Sequence, residues 1–86
     1  MPLDRNQKRF VALGKRLYGD DWHGKFARMI GLSRPYVSMM AKPVSEGGRP
    51  VTDAVRAKVI VGLRAEVERH RGQAIKILEL LREYEK

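Results

Sequence analysis

Apolar residues recur along this chain with the period of a helix. Phe10, Leu13 and Leu17 stand at i, i+3 and i+7, set among Arg5, Lys8, Arg9, Lys15 and Arg16. That spacing predicts an amphipathic first helix with one buried stripe. Asp4 is placed to cap it, with Gln7 three residues on as in a capping box, and Gly19 ends it. Asp20 or Asp21 caps the next helix, which runs from about Trp22 to Ile30 and carries Phe26, Ala27 and Ile30 on one face. Gly31 offers the positive φ of a tight helix ending. Ser33 is the expected cap of a third helix, and Pro35 belongs in its first turn, leaving the start open by one residue. Val37 and Met40 point inward there. Trp22 is expected to close the core against the first helix.

Residues 41–52, AKPVSEGGRPVT, break the pattern and read as a loop, longer than a minimal connection and expected to be mobile in the unbound chain. Thr52 then caps a final helical segment with Asp53 in its first turn. Ile60, Leu63, Val67, His70, Ala74, Ile77, Leu81 and Tyr84 alternate steps of three and four, the spacing of a heptad seam. Ile60, Val67, Ala74 and Leu81 take a positions. Leu63, His70, Ile77 and Tyr84 take d, with Glu66 at g and Arg71 at e. Ile75, Leu78 and Leu80 widen the stripe. Gly72 leaves open a bend after His70. Residues 53–63 are expected to cover the core. Residues 64–86 have too little domain left to cover, which predicts a dimer made through Leu63, Val67, His70, Ala74, Ile77, Leu78, Leu81 and Tyr84.

Two short helices joined by a sharp turn over residues 22–42 match the physical description of a helix-turn-helix. The stretch F-A-R-M-I-G-L-S-R-P-Y-V-S resembles that motif in the lambda-repressor/Cro-like (XRE) DNA-binding family. Ala27, Gly31 and Val37 fall at that family's small, turn and buried positions. The resemblance covers roughly residues 5–65. It implies that the third helix reads bases, through Arg34, Ser38, Met39 and Ser33. A guanidinium pairs bidentately with guanine, a hydroxyl bonds a base or phosphate, and a methionine touches a thymine methyl. Pro35 departs from the polar residue common in the family. His23, near a helix N-terminus, matches a phosphate-binding position. Tyr36, Lys42, Arg49 and Arg28 complete the expected phosphate contacts.

Charge supports this reading. The 86 residues carry a net charge of +8. Residues 1–50 hold ten Lys/Arg against four Asp/Glu, and residues 51–86 hold eight against six. The basic excess thus lies on the half bearing the motif, as a polyanion surface requires. There are no cysteines, which excludes disulfides, thiolate zinc sites and thiol catalysis. Two separated histidines make a poor metal site, and no catalytic grouping is placed by local spacing. No apolar run approaches membrane-spanning length, and the N-terminal MPLDRNQKR lacks a signal-peptide core.

The expectation is a small all-α domain with a helix-turn-helix core over residues 1–52, followed by a long C-terminal dimerisation helix over 53–86. It is read as a cytoplasmic, nucleoid-associated, non-enzymatic regulator without cofactor or metal. As a homodimer it would bind double-stranded DNA at an inverted-repeat operator, most simply as a repressor like those of mobile elements. The alternative is an antitoxin or adaptor whose C-terminal helix binds a protein partner.

Overall fold

Asp4 starts the first helix as its sequence requires. Its carboxylate accepts the Gln7 backbone N–H at 2.8 Å, and Gln7 Oε1 accepts the Asp4 N–H at 3.1 Å. The computed structural model describes residues 2–69 and 74–86. Five α-helices are present among them: α1 (Arg5–Tyr18), α2 (Trp22–Ile30), α3 (Arg34–Met40), α4 (Asp53–Arg69) and α5 (Ala74–Glu85). Short 3₁₀ turns, Gly19–Asp21 and Val44–Glu46, fall within two of the connections. The fold is all-α. No described helix is long and apolar enough to cross a membrane.

The buried stripe of α1 meets α2 through aromatic rings. Phe10 lies 4.9 Å from Phe26 between ring centroids, and Trp22 meets Phe10 edge-on at 6.2 Å. Such tilted and edge-on contacts suit the ring quadrupoles and add to the burial itself. Val37 and Met40 from α3, Val51 from the loop, and Val55, Val59 and Leu63 from α4 join this core. Neither Asp20 nor Asp21 caps α2. Asp21 occupies the cap position but makes no side-chain bond there, because the 3₁₀ turn already leads the chain into the helix. Thr52 does cap α4, its hydroxyl accepting the Val55 N–H at 3.3 Å.

The C-terminal segment departs from expectation. It forms two helices, and α5 returns along α4 to pack on α1 as well, bringing Glu85 beside Arg64 and the Tyr84 carbonyl beside Arg56. Leu63, Leu81 and Tyr84, assigned above to a dimer seam, are buried inside the protomer. Ile77 is half-buried against the same core, and Val67 is half-buried. The core needed this cover, since residues 64–86 supply Leu80, Leu81 and Tyr84 to it. The predicted roles of His70, Arg71, Gly72 and the Ala74 side chain lie outside the described residues. Ile75 and Leu78 remain on the surface.

Arginines fasten the end of α5. One Arg9 nitrogen donates to the Glu83 and Tyr84 carbonyls at 2.8 and 2.7 Å, and Arg56 donates to the Tyr84 carbonyl at 3.2 Å. The last carbonyls of a helix lack internal partners and carry its negative dipole end, so cations are favoured there. The same two guanidiniums lie 5.5 and 5.6 Å from the Tyr84 ring centroid. The outer ion pairs, Arg16–Glu83 and Arg64–Glu85, are solvent-exposed. They contribute at most about 1 kcal/mol each.

Candidate nucleic-acid interface

The turn between α2 and α3 is built by two residues. Gly31 adopts φ 74°, ψ 28°, a left-handed conformation that costs a residue with a side chain roughly 1–2 kcal/mol. Its N–H returns to the Ala27 and Arg28 carbonyls, and the Leu32 N–H follows to Ala27 at 3.0 Å. Ser33 then turns the chain into α3 in an extended conformation, its hydroxyl accepting the Tyr36 N–H at 3.3 Å. Arg34 is the first residue of α3 and Pro35 the second, where a missing N–H loses no helical bond.

This local geometry decides which side chains of α3 face water. Val37 and Met40 are fully buried and anchor one side. At 100° per residue the opposite arc holds Arg34, Pro35, Ser38 and Met39. Ser33, Arg34 and Pro35 are exposed, Ser38 is half-buried, and Met39 is 40% exposed. The four residues expected to read bases are therefore brought to one accessible surface, with Pro35 in their midst. A Cβ built on Gly24 would sit 3.8 Å from Arg34 Cδ, an ordinary van der Waals contact, so the arginine stem runs past the first turn of α2.

The phosphate candidates divide. Lys42 and Arg49 flank the C-terminal end of α3, both backbone N–H groups donating to the Met39 carbonyl at 3.2 and 2.9 Å. The Arg49 guanidinium lies 5.9 Å from the centroid of the half-buried Tyr36 ring. These three form one group. His23 is half-buried, its ring stacked on Trp22 at 4.1 Å. It therefore has a packing role in addition to its place near the α2 N-terminus. Arg28 is placed elsewhere. It lines two adjoining grooves between α2 and α4, with Met29, Gly62 and Ala65. Its separation follows from α2 itself, whose contact with α4 lies on the side that Arg28 borders.

The loop of residues 41–52 is held more firmly than its composition predicts, and the residue responsible is Gln7. Its side-chain nitrogen donates to the Met40, Lys42 and Arg49 carbonyls at 3.2, 2.6 and 3.0 Å. Within the loop, Gly48 donates to the Pro43 carbonyl at 3.0 Å. A Cβ on Gly48 would fall 2.0 Å from the Lys42 carbonyl oxygen, so the two limbs of the loop touch where only glycine fits. Gln7 is 1% exposed. Leaving such a buried amide unpaired costs about 1–3 kcal/mol. Sequence reasoning identified Gln7 only as a capping-box partner. A further signal was present: Gln7 precedes Phe10, Gly14 and Leu17 on the buried face at i, i+3, i+7 and i+10.

Among the described residues, no group of three or more His, Asp or Glu side chains is placed to hold a metal ion. Comparison with models of protein families, with curated proteins and with solved structures gives no match to this chain.

Proposed function

We propose that this protein is a sequence-specific double-stranded DNA-binding regulator of the lambda-repressor/Cro-like kind, acting as a homodimer on an inverted-repeat operator. One observation carries the reading: α3 is anchored by Val37 and Met40 while Arg34 and Met39 are exposed and Ser38 is half-buried, with the cations Lys42 and Arg49 at the C-terminal end of the helix. In this reading α2 and α3 form a helix-turn-helix and α3 lies in the major groove. Arg34 pairs with a guanine edge, Ser38 with a base or phosphate, and Met39 with a thymine methyl. Lys42, Arg49 and the Tyr36 hydroxyl hold the backbone on one side of the groove, and the positive α2 N-terminus approaches it on the other. One such helix spans only a few base pairs. Two copies, with reading helices about 34 Å apart, give useful specificity. Occupying the operator then blocks transcription, in the cytoplasm at the nucleoid.

Selection of bound fragments from random duplex DNA tests this. An enriched inverted repeat with half-sites one helical turn apart is the expected result. Uniform recovery of all sequences would leave only an architectural binder.

A second reading, an antitoxin or adaptor, draws on the outer face of α5, where Ile75 is 76% and Leu78 36% exposed. Stoichiometric co-purification of a protein partner, lost in Ile75→Glu, would favour it over the first.

A further inference from the structure

Gln7 gathers the two basic residues of the loop through their backbones. Lys42 and Arg49 each precede a proline, Pro43 and Pro50. Proline confines the preceding residue to extended conformations, so both backbones are already narrowed by covalent structure. Their carbonyls converge on one amide nitrogen, with that of Met40, the last residue of α3. The other end of that amide is fixed as well, because Oε1 accepts the Asp4 N–H at the start of α1. With both ends engaged and no exposure to water, the amide has one orientation.

Lys42 and Arg49 have exposed side chains on these fixed backbones. We infer that Gln7 is a positioning residue for polyanion binding: it sets the spacing of these two cations relative to α3. This rests on the reading of α3 and its loop as a duplex-binding surface. The loop then meets two phosphates already formed, and the ordering entropy is spent during folding rather than on contact. A Gln7 that merely stabilised the domain would affect how much protein is folded, and not how many counterions each folded molecule displaces.

The test compares Gln7→Met, which keeps length and loses the donor, with Lys42→Ala and Arg49→Ala. All are measured in the full chain on the selected operator duplex over a salt series, well below the melting temperature. Each alanine variant should lower the slope of log affinity against log salt by about 1. Gln7→Met should lower it by about 1–2 although both cations remain. The Gly48 and Arg49 amides should also exchange hydrogen faster. If Gln7→Met reduces stability or the active fraction but leaves the slope and those two exchange rates as in the parent, the inference is overturned and the DNA reading stands. If neither alanine variant moves the slope, the reading of the loop fails and takes the inference with it. Should Gln7→Met not fold, Gln7→Asn keeps the donor but retracts it by one methylene and serves the same comparison.

Discussion

Gly14 lies so close to the Trp22 indole that a Cβ built on it would sit 2.2 Å from Cε3. A glycine inside a helix costs about 1 kcal/mol relative to alanine. Here it lets α1 accept the largest side chain of the core, which is 2% exposed. Gly14→Ala should therefore destabilise the domain by a net of roughly 1–3 kcal/mol, overpacking outweighing the gain in helix propensity. The urea midpoint reads this directly, and a rise in that midpoint would contradict the packing described.

Tyr84 offers a prediction of opposite sign. Its hydroxyl is buried with no well-formed hydrogen bond among the described residues, the Arg56 side chain lying alongside. Tyr84→Phe should stabilise the fold by roughly 1 kcal/mol, since an unsatisfied buried group is removed with little change in shape. The pH dependence follows from the same burial, which raises the phenol above its ordinary 10.0 despite the opposing charges of Arg56 and Arg9. The folded state thus favours the protonated form. That contribution is complete below pH 10.0 and is lost as pH rises through the folded value. Tyr18, raised by its own burial and by Glu66 against the opposing Arg69, keeps a residual slope in the variant. Melting temperature above pH 10 should fall more steeply in the parent than in Tyr84→Phe, and parallel curves would remove Tyr84 as the source.

Two substitutions in α5 separate its faces. Leu81→Ala should cost about 2–5 kcal/mol, because Leu81 belongs to the protomer core. Ile75→Glu should change folding stability by no more than about 0.5 kcal/mol. If the proposed homodimer forms through the outer face of α5, Ile75→Glu will sediment as a folded monomer. A dimer that survives this substitution has its interface on another element.

Arg34→Ala should weaken operator binding by about 1–3 kcal/mol and relax preference at one position in each half-site. Competition between operator and random duplex distinguishes this from a phosphate contact. Equal losses on both would assign Arg34 to the backbone.

Local chemistry was legible in the sequence, and long-range partnership was not. The Asp4 and Ser33 caps, the Gly31 turn, the Val37 and Met40 anchors and the place of Trp22 each follow from a few neighbouring residues or from helical periodicity. Of the seam from Ile60 to Tyr84, Leu63, Leu81 and Tyr84 are buried and Ile60, Val67 and Ile77 half-buried. The seam's partner was misassigned, because an a/d stripe looks alike whether two segments pair with a second copy or fold back on one another. Gln7 shows the same limit within one side chain. The capping bond to Asp4 spans three residues and is readable, whereas its carbonyl partners lie 33, 35 and 42 residues away. Arg28 borders α4, and charge and spacing do not say which flank of α2 receives that helix.

The contact between Arg9 and the Tyr84 carbonyl joins residues 75 positions apart. During synthesis it cannot form until residue 84 has left the ribosome, after α1 to α4. Through that interval Phe10 and Leu13 lack the cover of Leu80, Leu81 and Tyr84, and Arg9 and Arg56 stand on either side of an unfilled place. A nascent chain stalled between α4 and α5 would thus present its apolar side to chaperones. Arrival of α5 would end that exposure in one late docking step.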